Sequence, residues 1–290
     1  MDLLQREGKY PVPPQAGPIL GVEFSGTIES FSDETSKGDF AKGEEVFGLA
    51  YGGAYAEYIA VSTKMLMRKP AFLSWEEAAG IPEVFITATQ ALHLIGGFEK
   101  GKSVLWHAGA SSVSIAGIQL AKAAGASAIY ITASSQEKID FCESIGATKG
   151  FNYKTQDWSK EILEATDGKG VDIIIDFIGA PYFQGNLNAT AMDGTIVNLG
   201  TMGGTQCEKV DIGAFVRKRV RFQGSTLRSR DAEYQGKLRD KLEEYLPGFD
   251  PKVGKFKIHV ERVFGWEDIV KAHELMESNE TRGKIVCTIN

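Results

Sequence analysis

The run Val171-Asp172-Ile173-Ile174-Ile175-Asp176-Phe177 constrains this chain more than any other segment. Side chains alternate faces along a strand, so three isoleucines in succession place branched apolar groups on both faces. A strand of that kind is covered on each side, as in a parallel sheet flanked by helices. The surrounding sequence repeats the theme. Residues 103–107, 127–132, 149–153 and 194–200 read as further short strands. Amphipathic stretches through Ile115, Leu120 and Ala123, through Ile139, Phe141 and Cys142, and through Ile162 and Leu163 read as the helices between them. This β-α-β alternation predicts a doubly wound parallel sheet.

The segment before it is β-rich and irregular. Residues 19–28 and 45–49 are strand candidates broken by glycines, Gly52-Gly53 marks a turn, and residues 56–61 resume a strand pattern. Ser74-Trp75-Glu76-Glu77 has the spacing of a capping box and should open a helix, with a longer helix over 85–95. Ser134-Ser135-Gln136-Glu137 caps another in the same way. Beyond Arg221 the pattern predicts a strand at 222–227, a charged helix at 231–245, a strand at 257–264, a helix at 266–276 and a closing strand at 284–289.

With 290 residues, a net charge of -6 and no basic block, the chain offers nucleic acid no electrostatic footprint. No apolar run approaches the roughly 20 residues that span a bilayer, and no signal-peptide core is visible, so no membrane partner is expected. The three cysteines, Cys142, Cys207 and Cys287, are isolated, which suits a reducing, cytoplasmic setting. They and the four histidines, His93, His107, His259 and His273, fall at no metal-ligand spacing, so no metal site is expected. His107 has the best claim to a functional role because it borders the turn described next.

That turn, His107-Ala108-Gly109-Ala110-Ser111-Ser112-Val113-Ser114, follows the first strand of the predicted sheet. Small residues let the backbone approach a pyrophosphate, and a helix N-terminus supplies N–H groups and partial positive charge. The second strand ends in Thr132-Ala133-Ser134-Ser135-Gln136-Glu137-Lys138, without the acid that holds the ribose hydroxyls in an NAD site. The hydroxyls of Ser134 and Ser135, with Lys138 one turn on and Tyr153 at the end of the third strand, fit a 2′-phosphate and favour NADPH. Ile178-Gly179 and Leu199 to Gly204, at the tips of the fourth and fifth strands, are candidate nicotinamide contacts.

Taken in order, Gly21-Val22-Glu23-Phe24-Ser25-Gly26, Gly52-Gly53-Ala54-Tyr55-Ala56-Glu57-Tyr58, Ile81-Pro82-Glu83, His107-Ala108-Gly109, Phe151-Asn152-Tyr153, Asp176-Phe177-Ile178-Gly179, Leu227-Arg228-Ser229-Arg230 and Gly283-Lys284-Ile285-Val286 carry a family likeness along essentially the whole chain. The sequence resembles the zinc-free quinone oxidoreductase (zeta-crystallin-like) family of the medium-chain dehydrogenase/reductase superfamily, its tumour-suppressor-induced branch most of all. The resemblance implies an α/β protein in which a GroES-like β domain (1–85 and 226–290), N-terminally shortened against relatives, is interrupted by a Rossmann domain (86–225). It implies NADPH in the cleft between them, and a homodimer. It places Ser112, Val113, Ser134, Lys138 and Tyr153 around the phosphates and adenine ribose, and Ile178, Gly179, Leu199 and Met202 near the nicotinamide. Leu227 and Lys284 would approach the cofactor from the returning C-terminal segment. Relatives carry glycines at the positions of Ser112 and Ser114, where a serine would crowd the pyrophosphate unless its hydroxyl donates to it.

A quinone accepting hydride becomes a stabilised anion and needs little acid catalysis, which suits a chain without an evident acid–base pair. Tyr51 and Tyr55 are candidates for lining the substrate site, and Thr87 for donating a hydrogen bond to the carboxamide or substrate oxygen. Reduction of a 2-enoyl or enone substrate is the alternative chemistry, and a catalytically silent NADPH-binding protein the alternative class.

Overall fold

The computed structural model describes residues 1–33 and 35–289. The chain forms two compact units, one made of Met1–Thr87 with the segment from Leu227 onward, the other of Ala88–Thr226.

In the first unit, α1 (Asp2–Arg6) precedes an antiparallel sheet of β1 (Glu23–Thr27), β2 (Glu45–Leu49) and β3 (Leu66–Arg68), with β2 central. The strand expected at 19–28 shortens to β1, and residues 56–61 join no ladder. The Gly52-Gly53 turn explains both. Gly53, at φ +94°, and Tyr55 turn their N–H groups back to the carbonyls of Ile19 and Leu20 at 2.8 and 3.0 Å, so these backbone groups are spent before a ladder can form. Helix α2 (Trp75–Gly80) opens on the expected capping box, with Glu77 N–H donating to Ser74 Oγ at 3.1 Å and Ser74 N–H to Glu77 Oε2 at 2.9 Å. Helix α3 (Pro82–Thr89) starts on a proline, which suits a first helical position, and so begins earlier than the 85–95 pattern suggests. It continues as a π-helical turn over Gln90–Ile95. Trp75–Ile95 is long and apolar enough by composition to cross a bilayer, contrary to expectation, but most of it is buried inside the protein as a core helix.

The second unit is built on one parallel sheet: β4 (Ser103–Trp106), β5 (Ala128–Ala133), β6 (Lys149–Asn152), β7 (Val171–Asp176), β8 (Thr190–Asn198) and β9 (Arg221–Gly224), in the order β6-β5-β4-β7-β8-β9. The order reverses between β4 and β7, which makes the tips of those strands the switch point of a doubly wound sheet. The strand expected at 222–227 is β9, the sixth member and an edge of this sheet. Helices α4 (Ser112–Ala123), α5 (Gln136–Ile145), α6 (Trp158–Ala165), α7 (Phe183–Ala189) and α8 (Gly213–Lys218) connect or flank the strands. Ser111, Ser135 and Asp157 cap α4, α5 and α6, each accepting the N–H three residues on. The cap of α5 is therefore Ser135 alone, and the expected box between Ser134 and Glu137 does not form, because the residue three beyond the cap is Lys138.

Two glycines set how closely α4 rides on the sheet. A Cβ on Gly109 would stand 2.7 Å from Ile131 Cβ, and one on Gly117 would stand 2.2 Å from the Trp106 ring. The chain then returns to the first unit through α9 (Ala232–Tyr245), β10 (Val260–Gly265), α10 (Ile269–Glu277) and β11 (Lys284–Thr288), with β10 and β11 parallel.

Gly117→Ala forces a methyl into a fully buried indole that strand and helix hold on both sides. Overpacking of this kind costs about 1–3 kcal/mol. Urea titration of the variant should show the loss; unchanged stability would mean that α4 can lift from β4 freely.

Candidate functional site

The tips of β4, β5, β6, β7 and β8 gather on one edge of the second unit. After β4 the backbone turns at Ala108, in the left-handed region at φ +48°, and Gly109 N–H reaches Thr132 O on the neighbouring strand at 2.8 Å. Helix α4 then begins. The N–H of Ser114 is taken by Ser111 Oγ, while those of Ser112 and Val113 lie in a first turn that has no intrahelical acceptor for them. Ser114 is fully buried, and its hydroxyl donates to His107 O at 2.8 Å. It is thus spent inside the turn and does not stand where a pyrophosphate would approach, unlike the crowding expected of it. Ser112, half-buried, is the serine at the surface of the turn.

His107 is fully buried. Its Nε2–H donates to Asn186 Oδ1 at 2.7 Å, which leaves Nδ1 to accept from the Thr132 hydroxyl at 2.9 Å. Burial pulls its pKa below the ordinary 6.5, against the opposing charge of Asp176. It is a neutral structural pin under the turn, not a free acid or base.

At the second tip, Ser134 and Ser135 are half-buried, and Lys138 stands one turn along α5. No carboxylate lies between Thr132 and Gln136. At the third tip, Tyr153 N–H bonds Ala133 O at 3.1 Å and the partly exposed ring leans toward Tyr182, with centroids 6.4 Å apart. These residues fit an anionic adenosine, because the strand tip lacks the acid.

Asp176 closes β7 with a carboxylate buried completely. It accepts from Ile178 N–H at 2.7 Å, from Gly179 N–H at 3.2 Å and from the Asn198 amide at 3.1 Å. The next two loops are zipped together, with Met202 N–H on Phe177 O at 3.1 Å, Gly203 N–H on Ile178 O at 2.8 Å and Ala180 N–H on Gly204 O at 3.0 Å. Gly179 adopts φ +84°, and a Cβ there would lie 2.8 Å from Gly204 O. Ile178 and Leu199 are half-buried in these loops and Met202 is exposed. Asp176 stands in the sequence only as part of a motif, and no periodicity marks Asn198 or Tyr182.

The remaining candidates lie in the first unit, where their polar atoms are already engaged. Tyr51 donates to Arg230 O at 2.9 Å. Thr87, almost fully buried, donates to Glu83 Oε1 at 3.3 Å. Tyr55 belongs to a directed chain. Arg6 carries only donors, so its 3.1 Å contact makes His273 Nδ1 the acceptor. Nε2–H then donates to Tyr55 Oη at 3.3 Å, and the Tyr55 proton goes to Asp2 Oδ2 at 3.3 Å. Burial, and then Asp2, push the phenol well above its ordinary range. Lys284 is paired with Glu23, a carboxylate pushed upward by burial while Lys284 pulls it back. Glu23 also accepts from Glu83 N–H at 2.9 Å. Leu227 is half-buried and its carbonyl accepts from Gln235 and Arg230. Its neighbour Arg228, given no role in the sequence beyond its motif, is buried, with Nε donating to Tyr51 O and Nη1 to Gln5 Oε1, both at 2.6 Å. Among the described residues no group of three or more His, Cys, Asp or Glu side chains is placed to hold a metal ion.

Comparison with known proteins agrees with this architecture. The alcohol dehydrogenase GroES-like domain matches residues 1–71 and the zinc-binding dehydrogenase family matches residues 112–244. A solved NAD-dependent alcohol dehydrogenase is 30% identical, with a TM-score of 0.84 and a match over 100% of this chain and 88% of its own. The chain belongs to this medium-chain dehydrogenase/reductase superfamily of oxidoreductases. A mycobacterial protein solved with NADPH is 25% identical over 99% of this chain and 87% of its own, at a TM-score of 0.85. The CurK enoyl reductase is 27% identical over 94% and 79%, at 0.79. A quinone oxidoreductase-like protein 2 homolog of Nematostella vectensis is 27% identical over 98% of this chain and 77% of that protein. A highly reducing polyketide synthase of Emericella nidulans is 28% identical over 94% of this chain, which spans only 11% of the synthase.

The two buried histidines make stability depend on acid. Burial lowers His107, and burial with the Arg6 charge lowers His273, while Asp2 and Glu277 oppose the latter. The unfolded chain takes up these protons near 6.5 and the folded chain only at lower pH. Their contribution is therefore complete above 6.5 and drains away as pH falls toward the depressed values. His107 alone can remove up to about 1.4 kcal/mol per pH unit there. Denaturant midpoints should drop between pH 7.5 and 5.5, and a flat profile would contradict the neutral pins.

Proposed function

We propose that this chain is an NADPH-dependent reductase of quinones or similar conjugated carbonyls that works without a metal. The observation that carries the cofactor reading is the β5 tip, where Ser134, Ser135 and Lys138 stand in place of an acid and Tyr153 leans in from β6. Ser112 and Val113 offer N–H groups to the pyrophosphate, and the loops pinned by Asp176 present Ile178, Gly179, Leu199 and Met202 to the nicotinamide. When bound, the nicotinamide supplies the hydride; the protein binds, orients and excludes water.

The substrate reading rests on proton supply. The hydroxyls of Tyr51, Tyr55 and Thr87 already donate to Arg230, Asp2 and Glu83. Such groups line and shape a substrate site but hold no proton ready for an enolate. A quinone suits this arrangement, because its reduced anion is stable without a strong acid. Reduction of 2-enoyl or enone substrates is the second reading, favoured by the enoyl reductase likeness described above. We also read β9 as the seat of a homodimer: all four of its residues are exposed on the sheet edge, and edges of this kind invite pairing. Light scattering should give twice the chain mass.

Lys138→Ala should weaken NADPH about tenfold and leave NADH nearly untouched, as loss of one charge-assisted contact to phosphate requires. Fluorescence titration with both nucleotides checks it, and equal loss would remove the 2′-phosphate from the account. Tyr55→Phe should leave NADPH oxidation by quinones close to wild type. A large loss confined to enoyl thioesters would favour the second reading instead.

A further inference from the structure

Tyr182 belongs to no motif, yet it occupies the switch point of the sheet. It closes the short 3-10 turn Ala180–Tyr182 after β7. Its ring packs edge-on against His107, the first residue of the β4 turn, at 4.8 Å between centroids, and lies tilted on Trp158 of α6 at 5.0 Å. Tyr153, at 6.4 Å, is a third ring neighbour, and its backbone is bonded to the β5 tip at Ala133. The ring thus packs against the residue that opens the β4 turn and lies near the residue that follows β6. Three aromatic neighbours fix its orientation. The hydroxyls behave differently from those of Tyr51 and Tyr55: neither Tyr153 nor Tyr182 spends its hydroxyl on a hydrogen bond among the described residues.

We propose that Tyr182 is a specificity-determining residue of the nucleotide site, donating its hydroxyl, beside that of Tyr153, to the 2′-phosphate of the bound dinucleotide. The inference rests on the NADPH reading above. Two phenols held side by side by ring packing form a preorganised pair of donors, so little side-chain entropy is lost when an anion arrives. The phenol also keeps its proton: burial raises its pKa first, and the nearby Tyr153 and Asp176 add to this. A phosphate dianion can accept from it without competition from a protein acceptor.

The test uses the full chain and two fragments, 2′,5′-ADP and 5′-ADP, titrated by calorimetry. Tyr182→Phe keeps the ring and its packing, and near-ultraviolet circular dichroism confirms that. The variant should bind 2′,5′-ADP about tenfold more weakly and 5′-ADP within about twofold of wild type. Tyr153→Phe should repeat the pattern. Unchanged affinity of Tyr182→Phe for 2′,5′-ADP overturns the assignment, as does an equal loss for both fragments, which would make the ring a packing element. If the unaltered chain binds neither NADPH nor 2′,5′-ADP, both this inference and the cofactor reading fall; if it binds both and the variant does too, only this inference falls.

Discussion

A carboxylate with no access to water holds the functional edge of the second unit together. Burying a charge of this kind is costly unless donors surround it. Asp176 meets that condition with the N–H groups of Ile178 and Gly179 and the amide of Asn198. The donors come from two different strand ends, so satisfying the charge also fixes one loop against the other. The Asn198 amide reaches on to Gly200 O at 3.0 Å, extending the brace into the second loop. His107 repeats the principle one strand away, tying β4, β5 and α7 through Thr132 and Asn186. The polar groups beneath the strand tips therefore act as braces, which leaves the surface residues above them to meet a ligand.

How far the sequence could be read depended on where each element finds its partners. The parallel sheet was legible because Ile173 to Ile175 and their neighbours are buried on both faces, and burial of that kind writes itself as branched apolar runs. Strand β9 was misplaced by a few residues for the opposite reason: an exposed edge imposes no apolar pattern. In the first unit the turn at Gly53 was visible but its hydrogen bonds to Ile19 and Leu20 were not, so a strand was expected where the backbone had no free groups. The same holds for the site. The Ser74–Glu77 capping box is local and could be read within four residues, whereas the second cap lies one residue past the expected Ser134. The engagement of Tyr51, Tyr55 and Lys284 depends on Arg230, Asp2 with His273, and Glu23, which only the folded chain brings near.

The pair formed by Glu23 and Lys284 has a bearing on the order of assembly. The second unit is one uninterrupted stretch, Ala88–Thr226, and can fold as soon as it leaves the ribosome. The first unit cannot, because its opening strand carries a buried acid whose counter-charge lies 261 residues further along the chain. Closing so long a loop is slow compared with local folding. A nascent chain halted short of residue 284 would hold a finished parallel-sheet unit and an unfinished β unit, with Glu23 unneutralised and its apolar surroundings open to chaperones or to aggregation.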